Sequence, residues 1–213
     1  MTKGQGKTQR QLQKDQTREH LIETALEQFA LQGLTTTRTA DIARAAKVSH
    51  GTVFAHFATQ EALLNAVIEE FGTRVSLRLH ELASGNSSLR DVLWAHLKGL
   101  TEFEAFYTRL VIENRLLPES ARNAFTIIQS SISFHLSQAA EKEIKAGNVD
   151  PYPIHLLFNT WMGLIHYYLA NNDLFAPERS VLERYGQELL EHYMRLIASK
   201  GGMNTIEGGE GIE

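Results

Sequence analysis

The sequence contains no cysteine, so it has neither disulfide bonds nor thiolate chemistry. It also lacks any apolar run that approaches the ~20 residues needed to span a bilayer, and its first residues carry no apolar core of a signal peptide. We find no alternating strand pattern of useful length and no internal repeat. These absences favour an all-helical protein without a membrane partner, and we expect it in the cytoplasm.

Apolar residues are plentiful enough to fill a core. The 213 residues are 43% hydrophobic, which suits one large or two small domains. The whole chain carries 21 basic and 25 acidic residues, but Met1 to Phe57 holds eight lysines and arginines against five acidic residues. The remainder therefore has a net charge of −7. This asymmetry predicts that contact with a polyanion is confined to the N-terminal end.

The stretch from Thr39 to Phe57 is the most informative part of the chain. A short segment with helical apolar spacing covers residues 41–46, the pair Lys47-Val48 follows, and a second segment begins at Ser49. Ser49 is an N-cap residue that accepts hydrogen bonds from the backbone N–H groups of the segment after it. The break therefore separates two helices, in the length pattern of a helix-turn-helix, whose second helix can enter the major groove of DNA.

Helical periodicity continues along the rest of the chain. Residues 1–15 are polar and basic, with Lys3, Lys7, Arg10 and Lys14, which predicts a flexible arm. A helix is expected from Thr17 to Gly33 and a long one from Thr59 to about Ala83. Further helices follow to about residue 200, and the glycine-rich segment 201–213 is predicted to be a disordered tail.

The last two predicted helices indicate a homodimer. The segment from Ile154 to Leu169 is apolar nearly all round, and the helix from about Glu178 to Ser199 has one apolar stripe. A two-fold four-helix interface with a second copy would cover this surface. Gly163 and Gly186 fit close backbone crossings there, although incidental glycines are an equal alternative. The predicted interface residues are Trp161, Ile165, Tyr168, Leu182, Tyr185, Leu189, Tyr193 and Leu196.

The order of these features resembles the TetR family, the tetracycline-repressor-like regulators of bacteria. The likeness is specific from about Thr17 to Phe71, through Phe29-Ala30, Gly33, the run 37–43, the run 48–57 and the run 59–63. Beyond that it lies in helix number and order. The resemblance implies an all-α fold with a three-helix DNA-binding domain at 16–58 and a helical effector-binding and dimerisation domain at 59–200.

What the resemblance implies for DNA contact transfers position by position. His50 or Thr52 would donate to base edges, and the methyl group of Ala55 would meet a thymine methyl. Thr39, Ser49 and His56 would hold phosphates, and Gly51 would allow close approach. The DNA-binding set is Thr39, Ala40, Ser49, His50, Gly51, Thr52, Phe54, Ala55, His56 and Gln60.

The chain departs from the family pattern at three positions. Phe54 stands where a tyrosine often bonds a phosphate, Gln60 stands where lysine is usual, and Lys47 replaces a common turn glycine. A left-handed backbone at Lys47 would cost ~1 kcal/mol. The first two changes weaken attraction to DNA, so we expect the basic arm to restore part of it. Deleting residues 2–14 should then flatten the dependence of log K on log salt.

The resemblance also implies a small-molecule effector cavity among the middle helices, apolar with a few polar anchors. The acidic body favours a neutral or cationic effector. The chain would act as a repressor that binds a palindromic operator as a homodimer and is released by the effector. The candidate pocket residues are Trp94, Phe103, Phe106, Tyr107, Arg109, Glu113, Phe125, Gln129, His135, Asn159 and Trp161; His96 and His166 are further candidates for the cavity or satisfied core groups.

Other sites are not supported by the sequence. The run Gly4 to Thr8 lacks the glycine and preceding strand of a phosphate-binding loop. The nine histidines show no metal-ligand spacing, and no Ser/His/Asp set can be assembled, so no metal, cofactor or enzymatic activity is expected. Two alternatives stay open: a protein of this fold whose second domain binds a protein partner, and an all-helical enzyme with a chance helix-turn-helix.

Overall fold

The computed structural model describes residues 8–83 and 87–199, so residues 1–7 of the predicted arm and the predicted tail 201–213 lie outside the described residues. Within those ranges the chain is built from α-helices and one short 3-10 helix, which confirms the all-α fold. The helices are α1 (Gln9–Gln32), α2 (Thr39–Ala45), α3 (His50–His56), α4 (Gln60–Leu82), α5 (Leu89–Thr101), α6 (Glu104–Glu113), the 3-10 helix (Asn114–Leu116), α7 (Glu119–Lys145), α8 (Ile154–Ala170), α9 (Asn172–Phe175) and α10 (Val181–Ile197).

Helix α1 begins at Gln9, well before the expected start at Thr17, so the prediction of a flexible segment is wrong for residues 9–15. Thr8 and Gln11 form a capping box, in which the Gln11 N–H donates to Thr8 Oγ1 at 3.3 Å and the Thr8 N–H donates to Gln11 Oε1 at 3.0 Å. The residues that follow are mostly glutamine, arginine and lysine, which are good helix formers. Low apolar content therefore did not mean lack of structure.

The helices group into two compact units, residues 1–73 with 105–128 and residues 74–104 with 129–213. The first unit is larger than the predicted DNA-binding domain 16–58, because it also takes in the residues before 16, residues 59–73 and residues 105–128. The second unit contains α5, α8, α9 and α10. In the part of the chain that the structure describes, no helix is long and apolar enough to cross a membrane.

The helix-turn-helix is held by a small apolar core in the first unit. Ile42 of α2 and Val53 of α3 are fully buried and Phe57 is nearly so. The turn between the helices has a left-handed residue, since Lys47 has a φ of +56°. A lysine there costs ~1 kcal/mol relative to glycine. On the other side, His20 Nε2 of α1 lies 3.1 Å from the carbonyl oxygen of Ala46 and ties α1 to the end of α2.

A buried carboxylate joins the end of α6 to the turn between α1 and α2. The backbone N–H of Thr35 donates to Glu113 Oε2 at 2.8 Å, and the Thr35 hydroxyl donates to the same oxygen at 2.7 Å. Gly33, with a φ of +100°, makes room for this contact, because a Cβ there would lie 2.8 Å from Glu113 Oε1. Hydrogen bonds to a charged acceptor are about twice as strong as neutral ones, so Glu113 fixes this turn.

The second unit is organised around α5, α8 and α10. Trp161 of α8 and Tyr193 of α10 are fully buried, and their ring centroids lie 5.2 Å apart. The Tyr193 hydroxyl donates to the carbonyl oxygen of Leu157 at 2.7 Å. Glu104 caps the first turn of α10 by accepting from the Ser180 hydroxyl and from the N–H groups of Val181 and Leu182.

Candidate nucleic-acid interface

Helix α3 presents one face to solvent and buries the other. Ser49 caps it as predicted, since its Oγ accepts from the Thr52 N–H at 3.0 Å. His50, Gly51, Phe54 and Ala55 are exposed, whereas Val53 is fully buried. A short rigid helix with a polar and aromatic outer face is therefore available for the wide groove of a duplex.

The side chain of His50 is held in place by two neighbours. Its Nε2 lies 3.0 Å from Thr39 Oγ1, and its ring meets the edge of Phe54 with centroids 4.8 Å apart. Thr39 is buried, with 8% of its surface exposed. Phe54 has no hydroxyl for a phosphate, but its contact with the histidine ring helps to orient that ring.

Gln60, a predicted DNA-contact residue, also makes a hydrogen bond within the domain. Its Nε2 donates to the carbonyl oxygen of Thr37 at 2.9 Å, just before α2 begins. A lysine would bring a charge to this position, whereas glutamine brings a neutral donor that fastens the preceding loop. Ala40, in the first turn of α2, is exposed as a contact residue requires.

Basic side chains of α1 lie beside the end of α3. The Arg18 guanidinium sits over the Phe57 ring, 5.2 Å from its centroid. Partial burial and the positive charges of Lys14 and Arg18 lower the pKa of His56, so these three groups share one electrostatic environment. Arg10, Lys14 and Arg18 are each four residues apart, which places them along one face of α1. We call these three residues the α1 basic row.

Sequence reasoning missed Arg18 as a member of this surface. The signal was available, because the spacing of Arg10, Lys14 and Arg18 is helical. It was hidden by the assumption that the helix begins at Thr17. Lys3 and Lys7, which were placed in the same arm, lie outside the described residues.

Comparison with known proteins agrees with this geometry. The family described as "Bacterial regulatory proteins, tetR family" matches residues 21–67, which cover the end of α1, all of α2 and α3 and the start of α4. Residues 21–67 therefore carry the TetR-family sequence pattern. The three positions at which the chain departs from the family pattern, Lys47, Phe54 and Gln60, all lie inside the matched region.

The chain is similar to an HTH-type transcriptional repressor of Mycobacterium tuberculosis, to which it is 40% identical over 63 residues that cover 30% of this chain and 34% of that protein. An uncharacterized HTH-type transcriptional regulator of Bacillus subtilis is 28% identical over 144 residues, covering 65% and 49%. The chain thus spans about a third to a half of these relatives.

Solved structures extend the likeness to the whole fold. A TetR-family transcriptional regulator from Agrobacterium tumefaciens has a TM-score of 0.73 at 14% identity, over 87% of this chain and 100% of that one. At this identity the likeness establishes the fold, an N-terminal helix-turn-helix domain followed by a helical domain.

The predicted effector residues are divided between the two units. Phe106, Tyr107, Arg109, Glu113 and Phe125 belong to the first, and Trp94, Phe103, Gln129, His135, Asn159 and Trp161 to the second. Neither unit gathers the whole set, so their joint role in ligand binding stays a prediction.

Two of the predicted polar anchors have structural partners in the first unit. Glu113 binds Thr35, as described, and Arg109 Nε donates to the carbonyl oxygen of Ala30 at 3.5 Å. Phe106, Tyr107 and Phe125 are buried, and the Tyr107 ring meets Phe71 and Phe125 at centroid distances of 5.5 and 6.0 Å. These residues fasten α6 and α7 within their unit, a role that residue type alone did not reveal.

In the second unit, the predicted pocket residues differ widely in exposure. Trp161 is fully buried, while His135 and Asn159 are exposed. His135 lines a cavity of about 230 Å³ together with His80 and Gln138. In the described ranges, no group of three or more histidine or acidic side chains is arranged to hold a metal ion.

Most of the predicted dimer residues are core residues, and that part of the prediction needs correction. Five are covered within their own chain: Trp161, Ile165, Leu182, Leu189 and Tyr193. Tyr168 and Tyr185 are half-buried, and Leu196 is 52% exposed. The reason is that α5 packs against α10 and α10 against α8, which uses the most apolar stripe inside the unit.

A different face of α8 is left uncovered. Leu156, Thr160, Gly163 and Tyr167 follow one another at helical spacing and are exposed. A Cβ added at Gly163 would meet nothing within 4 Å, so this glycine does not serve a crossing inside the chain. Gly186 differs, because its added Cβ would lie 3.7 Å from Leu97 Cδ1 of α5.

Proposed function

We propose that this TetR-family chain is a transcriptional regulator that binds a palindromic operator as a homodimer through α3 and is released by a small molecule. The observation that carries this proposal is the outer face of α3, where His50, Phe54 and Ala55 are exposed while Val53 locks the helix to its core. Family regulators are non-enzymatic DNA-binding proteins, which disfavours the enzyme alternative. We infer repression and not activation of transcription, because the Mycobacterium tuberculosis relative is named a repressor.

Gly51 supports close approach of DNA to α3. A Cβ at this position would meet only Ser49 Oγ, at 3.7 Å, which is ordinary contact. Packing within the protein therefore does not require a glycine here. Contact with the duplex supplies the reason, because any side chain would stand between the helix and the base edges.

Replacing His50 with Ala should weaken operator binding by about 1–3 kcal/mol, mainly at one base pair. Thr39→Val should produce a weaker form of the same loss, because it removes the hydroxyl that holds His50 Nε2. Binding to operators mutated one base pair at a time, measured by mobility shift, tests both. The exposed His192→Ala on α10 is the matched control. A loss that His50→Ala spreads evenly over all sequences would contradict a base-reading role.

The α1 basic row is proposed as a second DNA contact that replaces the flexible arm inferred from the sequence. Arg10, Lys14 and Arg18 span two helical turns, about 12 Å at 1.5 Å per residue, so they can meet successive phosphates. Their neighbour His56 occupies a position that holds phosphates in the family pattern. The row therefore extends the phosphate contacts of α3 along the same strand.

The uncovered α8 face is proposed as the dimer surface, with a second copy as its occupant. Leu156 and Thr160 also line a groove of about 280 Å³ that includes Leu196, the exposed member of the predicted interface. Two-fold pairing places identical faces against each other, and Gly163 in the middle permits close approach of two α8 helices. A dimer would present two α3 helices to half-sites about 34–36 Å apart, or a multiple.

Leu156→Glu combined with Tyr167→Glu should raise the dissociation constant of the dimer at least about a hundredfold, because it buries uncompensated charge in an apolar interface. Sedimentation velocity over a range of concentrations measures the change. Leu31→Glu introduces the same charge at a side chain of α1 that is 72% exposed, and it should leave the dimer intact. Dimers of unchanged affinity in the double variant would place the interface elsewhere.

Release by a ligand requires that the ligand prefer one conformation. A preference of at least ~1–3 kcal/mol between the DNA-binding state and its alternative would give induction, and equal affinity for both would give none. The alternative of a protein partner for the second unit predicts no small-molecule effect on DNA binding.

A further inference from the structure

His96 of α5 stands apart in the second unit. Only 1% of its surface is exposed. Apart from tyrosine and tryptophan, it is the one polar side chain that is buried among the described residues of that unit. The indole Nε1 of Trp161 lies 3.1 Å from His96 Nδ1. The ring is thus enclosed by α5 and α8 and fixed by one hydrogen bond.

That hydrogen bond determines where the histidine proton resides. An indole N–H is a donor only, so Nδ1 must accept and a neutral ring must carry its hydrogen on Nε2. His96 Nε2 is buried and has no hydrogen-bond partner in the described structure. Leaving a buried donor unpaired is costly, and buried polar groups nearly always have a partner. The ring therefore presents an N–H group that lacks an acceptor.

The surroundings of this N–H group carry no buried countercharge. Burial lowers the pKa of His96 to about 3, with a smaller contribution from His166, and burial lowers the pKa of His166 to about 4. Both rings are neutral at physiological pH. The nearby Tyr193 hydroxyl already donates to the Leu157 carbonyl oxygen. A charged ligand group would be desolvated here without an opposite charge to offset the cost.

We propose that the Nε2–H of His96 anchors a small, uncharged, largely apolar ligand through a carbonyl-type acceptor oxygen, as in a ketone, ester or lactone. The Trp161 N–H fixes the ring and with it the direction of the Nε2–H group, and the burial of His96 favours a ligand that is largely apolar. The geometry excludes the cationic effectors that the acidic composition favoured. The claim that this ligand is the effector rests on the proposed regulatory function. The claim that the ligand binds at His96 is independent of that function.

Three molecules of nearly equal shape test the acceptor requirement: acetophenone, ethylbenzene and 1-phenylethylamine, which is protonated at pH 7. Binding is measured on the full chain without DNA by isothermal titration calorimetry. Acetophenone should bind about tenfold more tightly than ethylbenzene, and the ammonium compound should not bind. The Nε2 proton resonance of His96 should move downfield with the ketone and stay fixed with the hydrocarbon.

Variants separate the donor from the packing around it. His96→Phe should reduce the affinity for acetophenone to that for ethylbenzene, whereas His96→Gln, which retains an N–H donor, should keep part of the difference. His192→Gln, at an exposed position of α10 away from the ring, is the control and should keep the full difference. Equal affinity for the ketone and the hydrocarbon in the parent chain would overturn the inference. So would a failure of both to bind, since a buried water would then satisfy the histidine.

The two proposals fail separately. A chain that binds acetophenone at His96 but binds no operator DNA would sustain the ligand site and overturn the regulatory function. Operator binding without any ketone preference would do the reverse.

Discussion

Lowering the pH from 7 to 5 is expected to remove about 4 kcal/mol from the free energy of unfolding of the unit that contains His96 and His166. Burial holds their pKa values at about 3 and about 4, against 6.5 for an ordinary histidine. Between those values the unfolded chain binds protons that the folded chain excludes, so stability rises with pH through this window and is lost on acidification. Each histidine contributes about half of the effect.

Urea unfolding at pH 7 and pH 5, followed by Trp161 fluorescence, measures this loss. His96→Phe should remove about half of the difference between the two pH values, whatever it does to stability at pH 7. His192→Gln, at an exposed position on α10, should leave the difference unchanged. Equal unfolding free energies at the two pH values in the parent chain would mean that the buried rings are hydrated or already charged.

Replacing both Arg10 and Lys14 by Gln should weaken operator binding at 0.1 M salt by about 10²–10³-fold, if each meets one phosphate in each protomer. Every phosphate contact contributes about −0.9 to the slope of log K against log salt, so four lost contacts per dimer flatten the slope by about 3–4. Both side chains are exposed on the first turns of α1. Their removal should therefore leave the folded structure unchanged.

Fluorescence anisotropy over a range of salt concentrations, with operator and with unrelated DNA, measures both slopes. The matched control is Lys145→Gln with Arg195→Gln, which changes net charge equally at exposed positions of the second unit. Sequence preference should survive in the Arg10 and Lys14 variant, because α3 is untouched. A slope equal to that of the control would remove the α1 basic row from the interface.

The local rules of helix formation were enough to predict the helix-turn-helix. The Ser49 cap, the apolar positions Ile42 and Val53, and the chain length between them have simple physical consequences, and the structure contains each of them. The start of α1 was predictable too, because the Thr8 and Gln11 capping box can be read in the sequence. It was overlooked because the expectation relied on apolar periodicity alone.

The candidate sites of the second unit could not be predicted in the same way. Periodicity identifies an apolar stripe but not whether the chain or a second copy covers it, so Trp161 and Tyr193 were assigned to an interface although their own chain buries them. Exposure of Leu156 and Tyr167 becomes visible only when α5, α8 and α10 are packed. The missing acceptor of His96 depends on the position of one indole nitrogen, which no spacing in the sequence encodes.

The contact between Glu113 and the turn after α1 makes two distant positions mutually dependent. Any side chain at residue 33 would meet a carboxylate oxygen of Glu113. The left-handed backbone at this position is also unfavourable for any residue other than glycine. The carboxylate in turn can reach Thr35 only because residue 33 has no side chain. In the course of evolution the dependence is one-sided: replacing Gly33 displaces the carboxylate, whereas replacing Glu113 leaves a φ of +100° that still favours glycine, so we expect glutamate at 113 to be lost more readily than glycine at 33.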